Sequence, residues 1–207
     1  MNRYLLLVML AIALSACSQP LAPAVNTPSQ ADWTFEQLQW TQTHASQVDI
    51  AVEGGQVHIT LKQPDTLAWS VAGLALSNLV LEADATQVEG PDDNGYGLIA
   101  RRVDDENFYS FQVSGDGYFL VQKRLKGQWV KLGGDWQASP AIHTGAATNH
   151  LRVTCQGNTL TFAVNGEQVA QLTDGDLRSG DVGVIAGSLL EPGVHIAFGN
   201  VTVRRNE

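Results

Sequence analysis

From Val48 onward, apolar residues recur at every second position, and that period constrains the fold more than any other feature. Val57, Ile59 and Leu61 alternate with His58 and Thr60, and Tyr109, Phe111 and Val113 alternate with Ser110 and Gln112. Leu160, Phe162 and Val164 repeat the pattern, as do Val194, Ile196 and Phe198. A period of two puts one set of side chains on each face of an extended strand, which marks antiparallel sheet with one buried face. Turn formers separate the runs: Glu53-Gly54-Gly55-Gln56, Ser114-Gly115-Asp116-Gly117, Gln156-Gly157-Asn158 and Asn165-Gly166. Gly and Asn reach the positive φ that tight hairpins require. The spacing predicts about a dozen short strands and no helix beyond a turn or two, hence an all-β sandwich or barrel.

The N-terminus has a different character. Arg3 precedes an apolar run over 4–14, and Ser15-Ala16-Cys17 follows. The run is about a dozen residues, against the ~20 a spanning helix needs. Leu14-Ser15-Ala16-Cys17 resembles the lipobox of bacterial lipoproteins. The resemblance implies that residues 1–16 are a signal peptide and that a lipid on Cys17 anchors the mature chain to a membrane. Residues 17–32, rich in Pro, Ala, Ser and Thr, read as the lipidated cysteine and a flexible linker. A single β-domain is expected over 33–207. The location implied is the cell envelope, outside the cytoplasm, and the outer membrane in a diderm organism, because Ser18 lacks the acidic retention signal.

The formal charge of -9 removes any long-range attraction for nucleic acid. Cys155 alternates with Leu151 and Val153 and so belongs on an apolar face, as a small buried hydrophobe rather than a nucleophile. The five histidines are scattered without paired ligand spacing. No cofactor is called for, but calcium is left open. Calcium takes six to eight oxygens, and the acidic loop at Asp92, Asp93 and Asn94 is the first place to look.

Several stretches carry a family resemblance. They are Asn94-Gly95-Tyr96-Gly97-Leu98-Ile99-Ala100-Arg101-Arg102, Asn107-Phe108-Tyr109-Ser110-Phe111-Gln112-Val113, Asn149-His150-Leu151-Arg152-Val153, Phe162-Ala163-Val164-Asn165-Gly166, Gly180-Asp181-Val182-Gly183-Val184 and Phe198-Gly199-Asn200-Val201-Thr202-Val203. In this order they resemble the concanavalin A-like lectin/glucanase superfamily, and most of all its laminin-G-like and 3-keto-disaccharide hydrolase-type domains. The resemblance implies a concanavalin-like jelly-roll sandwich of two curved antiparallel sheets with a carbohydrate or protein site on the concave face. Trp69, Tyr96, Arg101, Trp129 and Trp136 are the candidate ligand-binding residues. Gly183 and Gly187 are expected to relieve crowding within a strand. Arg101 and Arg102 flank an acidic turn, Asp104-Asp105-Glu106, and local ion pairing is expected there.

Glucanases of the superfamily carry Glu-x-Asp-x-Glu or Glu-x-Asp-x-x-Glu on one strand. Here Glu82-Ala83-Asp84 begins that signature, and Thr86 and Gln87 end it. Neither can protonate a leaving oxygen, so the two-carboxylate arrangement of a retaining glycosidase is broken. No nucleophile elbow, P-loop or dinucleotide fingerprint is present. The reading is a binding module for a glycan or envelope component. The alternatives are a hydrolase of the 3-keto-disaccharide type and a module that docks a protein partner. An open shelf of aromatic and amide side chains would favour glycan. Carboxylates converging in a deep pocket would favour an enzyme, and a flat apolar patch a protein.

Overall fold

The computed structural model describes residues 32–206. The predicted signal peptide, Cys17 and almost all of the linker lie outside the described residues. Sixteen strands follow one another: β1 Asp32–Thr34, β2 Thr43–His44, β3 Val48–Glu53, β4 Gln56–Leu61, β5 Thr66–Val71, β6 Leu79–Glu89, β7 Asn94–Asp104, β8 Asn107–Val113, β9 Tyr118–Leu125, β10 Gln128–Lys131, β11 Gln137–Ala138, β12 Thr148–Gln156, β13 Thr159–Val164, β14 Glu167–Thr173, β15 Asp181–Ser188 and β16 Val194–Arg205. One 3-10 turn, Phe35–Gln37, is the sole helical element among the described residues. No helix there is long and apolar enough to cross a membrane.

The strands form two antiparallel sheets. One has nine strands, in the order β14-β13-β12-β6-β16-β4-β3-β2, with β1 also paired to β16. The other has seven, in the order β10-β9-β8-β7-β15-β5, with β11 also paired to β9. This is the all-β sandwich that the alternation implies and the jelly roll that the resemblance implies. The strand count exceeds the expected dozen because β1, β2 and β11 span only two or three residues. Segments so short show no period.

The predicted turns all close hairpins between neighbouring strands. Asn165 and Gly166 both take positive φ (51 and 87), the two-residue geometry whose twist matches that of the flanking strands. Lys126-Gly127 does the same between β9 and β10 (φ 50 and 77) without the Asn-Gly signal. The inner faces meet in one core, where Phe111 and Phe162 pack across the sheets with ring centroids 5.9 Å apart. Cys155 is fully buried in that core. Burial pushes its thiol up to about 12, against a smaller downward pull from the Arg101 charge.

Candidate functional site

The outer face of the seven-stranded sheet is built from the residues that alternate with the core. Trp69, Ile185, Gly97, Gln112 and Leu120 form one cross-strand row. Gly183, Ile99, Ser110, Gln122 and Lys131 form the next. Phe108, Arg124 and Trp129 form a third. The glycines decide the relief of this face. A Cβ on Gly97 would lie 1.9 Å from the Phe111 carbonyl oxygen, and one on Gly183 would lie 2.4 Å from that of Ser70. Both are impossible contacts, so these positions demand glycine. A Cβ on Gly187 would lie 3.0 Å from Leu67. The crowding expected at Gly183 and Gly187 is therefore present, and on this face the glycines of β7 and β15 alternate with Ile99 and Ile185.

Larger side chains rise between and around these glycines. Ile99, Phe108 and Ile185 form a second buried cluster on this outward side, covered by Leu67 and Trp69. Phe108 packs against Trp69 at 5.4 Å and meets Trp129 edge-on at 5.5 Å. The Arg124 guanidinium sits 5.6 Å from the Trp129 ring centroid, within cation–π range. Trp136 comes from the loop before β11 and lies over Gly95, where an added Cβ would sit 3.4 Å from its ring. The result is an open groove of about 360 Å³ whose lining includes Leu67, Gln112, Gln122, Trp129, Lys131 and Trp136. Its amides differ in commitment. Gln112 donates to Ser110 Oγ (2.6 Å), whereas the Gln122 amide has no partner among the described residues. At the rim Lys131 pairs with Asp135 (2.6 Å).

A smaller recess of about 210 Å³ continues the groove and shares Trp136 and Leu189 with it. Asp93, Asp116 and Tyr118 complete its walls. Tyr118, Trp129 and Leu189 are among the few large apolar side chains left exposed in the described chain. They gather at one place instead of scattering.

The structure divides the candidate residues. Trp129 and Trp136 line the groove, and Trp69 stands beside it, its indole N–H donating to Asp105 (3.0 Å). The hydrogen bond from Arg102 to Asp105 (2.7 Å) is the expected ion pair of the acidic turn. It holds that carboxyl below its usual range, against the opposing effect of burial. Tyr96 and Arg101 require correction, because neither faces the groove. Tyr96 is fully buried, shares the inward parity of Leu98 and Ala100, and accepts a hydrogen bond from Asn149 (3.1 Å). Arg101 occupies a bulge in β7 with φ 52, which turns a nominally outward position into the core. There it donates to the carbonyls of Ser77 (2.8 Å), Leu177 (3.1 Å) and Gly157 (2.8 Å). Gln112 and Gln122 were not among the sequence candidates. Their parity opposite Phe111 and Val121 is the signal that could have found them.

The acidic loop braces itself. Asn94 is buried and donates to Gln87 Oε1 (2.8 Å) and the Pro91 carbonyl (2.7 Å), and it accepts from the Gly115 N–H (3.1 Å). Asp92 accepts from Gln87 (2.9 Å). Of the three, only Asp93 makes no side-chain hydrogen bond among the described residues. Among the described residues no group of three or more His, Cys, Asp or Glu is placed to hold a metal ion.

Of the broken glucanase signature, Glu82, Asp84 and Thr86 lie across the sandwich, on the outer face of the nine-stranded sheet, whereas Gln87 is buried and bonded to the acidic loop. Glu82 is bonded by Arg152 (3.2 Å) and Arg204 (2.9 Å), Asp84 by His150 and Asn200 (2.7 Å each), and Thr86 by Thr148 (2.7 Å). None of them reaches the groove.

The fold is similar to those of several solved structures. The carbohydrate-binding module CBM66 from Bacillus subtilis matches with a TM-score of 0.59 at 19% identity, over 84% of this chain and 95% of that one. A protein of unknown function with a galectin-like fold, also from Bacillus subtilis, matches at 0.59 and 10% identity, over 83% and 90%. The apo Crh5 transglycosylase matches at 0.58 and 11%, over 85% and 84%. At such identities the likeness defines the fold: a jelly roll of the kind found in galectin-like, carbohydrate-binding and glycosyl-hydrolase-like proteins. No protein-family model and no curated protein sequence matches the chain.

Proposed function

We propose that this chain is a lipid-anchored, extracytoplasmic module that binds a glycan in the groove of the seven-stranded sheet without transforming it. The observation that carries the reading is the open shelf on which Trp129 and Trp136 stand beside the amides of Gln112 and Gln122. Aromatic faces present broad apolar area at little conformational cost, and amides supply paired donors and acceptors for hydroxyls. A sugar ring has that same division, apolar C–H faces and a polar rim. The carbohydrate-binding and galectin-like neighbours support the reading through their fold. Absence of catalysis is supported by Glu82 and Asp84, which are consumed by cations and amides on the other sheet. Membrane attachment rests on the lipobox resemblance at Cys17.

A glycan array probed with the Cys17→Ala protein should yield an oligosaccharide whose affinity is then measured by calorimetry. Trp129→Ala and Trp136→Ala should each weaken it about thirtyfold, as expected for truncating a central aromatic worth ~2 kcal/mol. Unchanged affinity in both variants would exclude the groove as the site.

The same reading makes calcium dispensable, because Asn94 and Gln87 already hold the acidic loop. Addition of EDTA should move the melting temperature by less than about 2 °C, within the range of a sub-kcal/mol effect. A fall of 10 °C or so would mean a structural ion.

A further inference from the structure

We infer that the groove opens away from the anchoring membrane, so that its partner is a glycan on a facing surface or in the surrounding matrix, not a headgroup sugar of the chain's own leaflet. This rests on the anchored glycan-binding reading above and adds a direction to it.

The argument begins with where the chain joins the sandwich. Asp32 pairs with Arg204, and Thr34 with Thr202. Followed backwards, β1 therefore leaves the domain past Arg205. At that end the Asn206 N–H also bonds the Asn78 carbonyl (3.1 Å). The opposite end of β16 begins at Val194, directly across from Leu61. The loops that frame the recess gather there. Gly90 approaches Val194 so closely that a Cβ would sit 2.8 Å from its Cα, and the Asp65 N–H bonds the Leu189 carbonyl (2.8 Å). Gly115 packs on Asp92 in the same cluster. The recess walls Asp93, Asp116 and Leu189 thus belong to the end remote from the attachment. Ten residues of β16 separate the two ends, about 30 Å at the rise of a strand. The groove is also on the other sheet: β1 is carried by the nine-stranded sheet and the groove by the seven-stranded one. The sheets of a sandwich lie ~10 Å apart.

Chain length sets how far this geometry can be subverted. Cys17 precedes Asp32 by 15 positions. Fifteen residues reach about 50 Å at most. Pressing the recess onto the anchoring leaflet would require the segment to span the ~30 Å length of the domain, more than half of its full reach.

The test uses the full-length lipidated protein in vesicles whose headgroups carry a fluorescence acceptor. A donor is placed on Asp93→Cys at the recess or on Arg205→Cys at the attachment end. Cys155 is buried and stays unlabelled. Energy transfer should be several-fold more efficient from position 205 than from 93. Equal or reversed efficiencies would overturn the inference. So would a Cys17→Ala protein that stays on the vesicles, because the chain would then be held somewhere other than its attachment end. No glycan enters this measurement, so its failure leaves the solution binding assay standing, and failure of that assay leaves the orientation standing.

Discussion

Arg101→Ala is expected to destabilise the domain by about 4 kcal/mol, in the range reported for leaving buried polar groups without their charged partner. That corresponds to a fall in melting temperature of roughly 8–16 °C for a domain of this size. The side chain is 1% exposed, and its three nitrogens bind carbonyls from three separate segments: Ser77 before β6, Gly157 in the β12–β13 turn and Leu177 before β15. Those segments also meet directly, through the Leu76–Gly180 bridge and the Gly157 N–H bond to Asn78 Oδ1 (2.9 Å), and the guanidinium adds a further tie among all three. Truncation orphans three acceptors and leaves a cavity, and both costs are large. Arg101→Lys tests the geometry. An ammonium keeps the charge but lacks the planar fork that serves three directions, so it should recover only part of the loss. Arg101→Gly separates out the backbone, because glycine accepts φ 52 without strain. If glycine proves as stable as arginine, the carbonyl network contributes nothing. Thermal or urea unfolding of the three variants decides the matter.

Arg101 also shows where the sequence stops being legible. Strand parity predicts the inward set from Tyr96 to Ala100 correctly, and Tyr96 could have been assigned to the core on that ground alone. One residue later the left-handed bulge reverses parity, and nothing in Ala100-Arg101-Arg102 announces it. A distant segment packs on this bulge. Gly180 presses against the Arg101 and Arg102 backbone so closely that a Cβ there would lie 2.5 Å from it. The groove was half visible for the same reason. Trp69, Trp129 and Trp136 stand out by type, and the parity of Gln112 and Gln122 is readable within their own strands. Their convergence depends on β15 lying between β5 and β7, a pairing made across a long stretch of chain. Hairpin neighbours follow from local turns, whereas this insertion does not. The anchoring signal is the reverse case, a local motif readable without any fold.

Lys123→Met should cost about 3 kcal/mol, or roughly 6–12 °C in melting temperature, by leaving a buried carboxylate without its cation. Lys123 is the one inward-pointing lysine of β9. Its ammonium reaches Asp174 and Asp176, both at 2.5 Å, and Asp174 also accepts from the Tyr109 hydroxyl. The Lys123 and Asp174 side chains are 8% and 13% exposed, while Asp176 is half exposed and, being solvent-screened, contributes less. Burial pushes the Asp174 carboxyl up, but the bonds from Lys123 and Tyr109 more than offset it and leave the group below the ordinary aspartate value. Lys123 mirrors this: burial draws it down, and the two aspartates carry it above the ordinary lysine value. The signs fix the pH window. A depressed carboxyl stabilises fully above its unfolded value near 4, and loses that contribution as pH falls through the folded value. A raised amine stabilises fully below about 10 and loses its contribution as pH rises through the folded value. The gap between wild type and Lys123→Met should therefore stay flat from pH 5 to 9, by choice of ~1 unit inside each limit, and narrow in acid. Coupling is tested by adding Asp174→Asn, which removes the stranded charge and keeps an acceptor for Tyr109. The double variant should be more stable than Lys123→Met alone, whereas a further additive loss would mean that the two residues act independently.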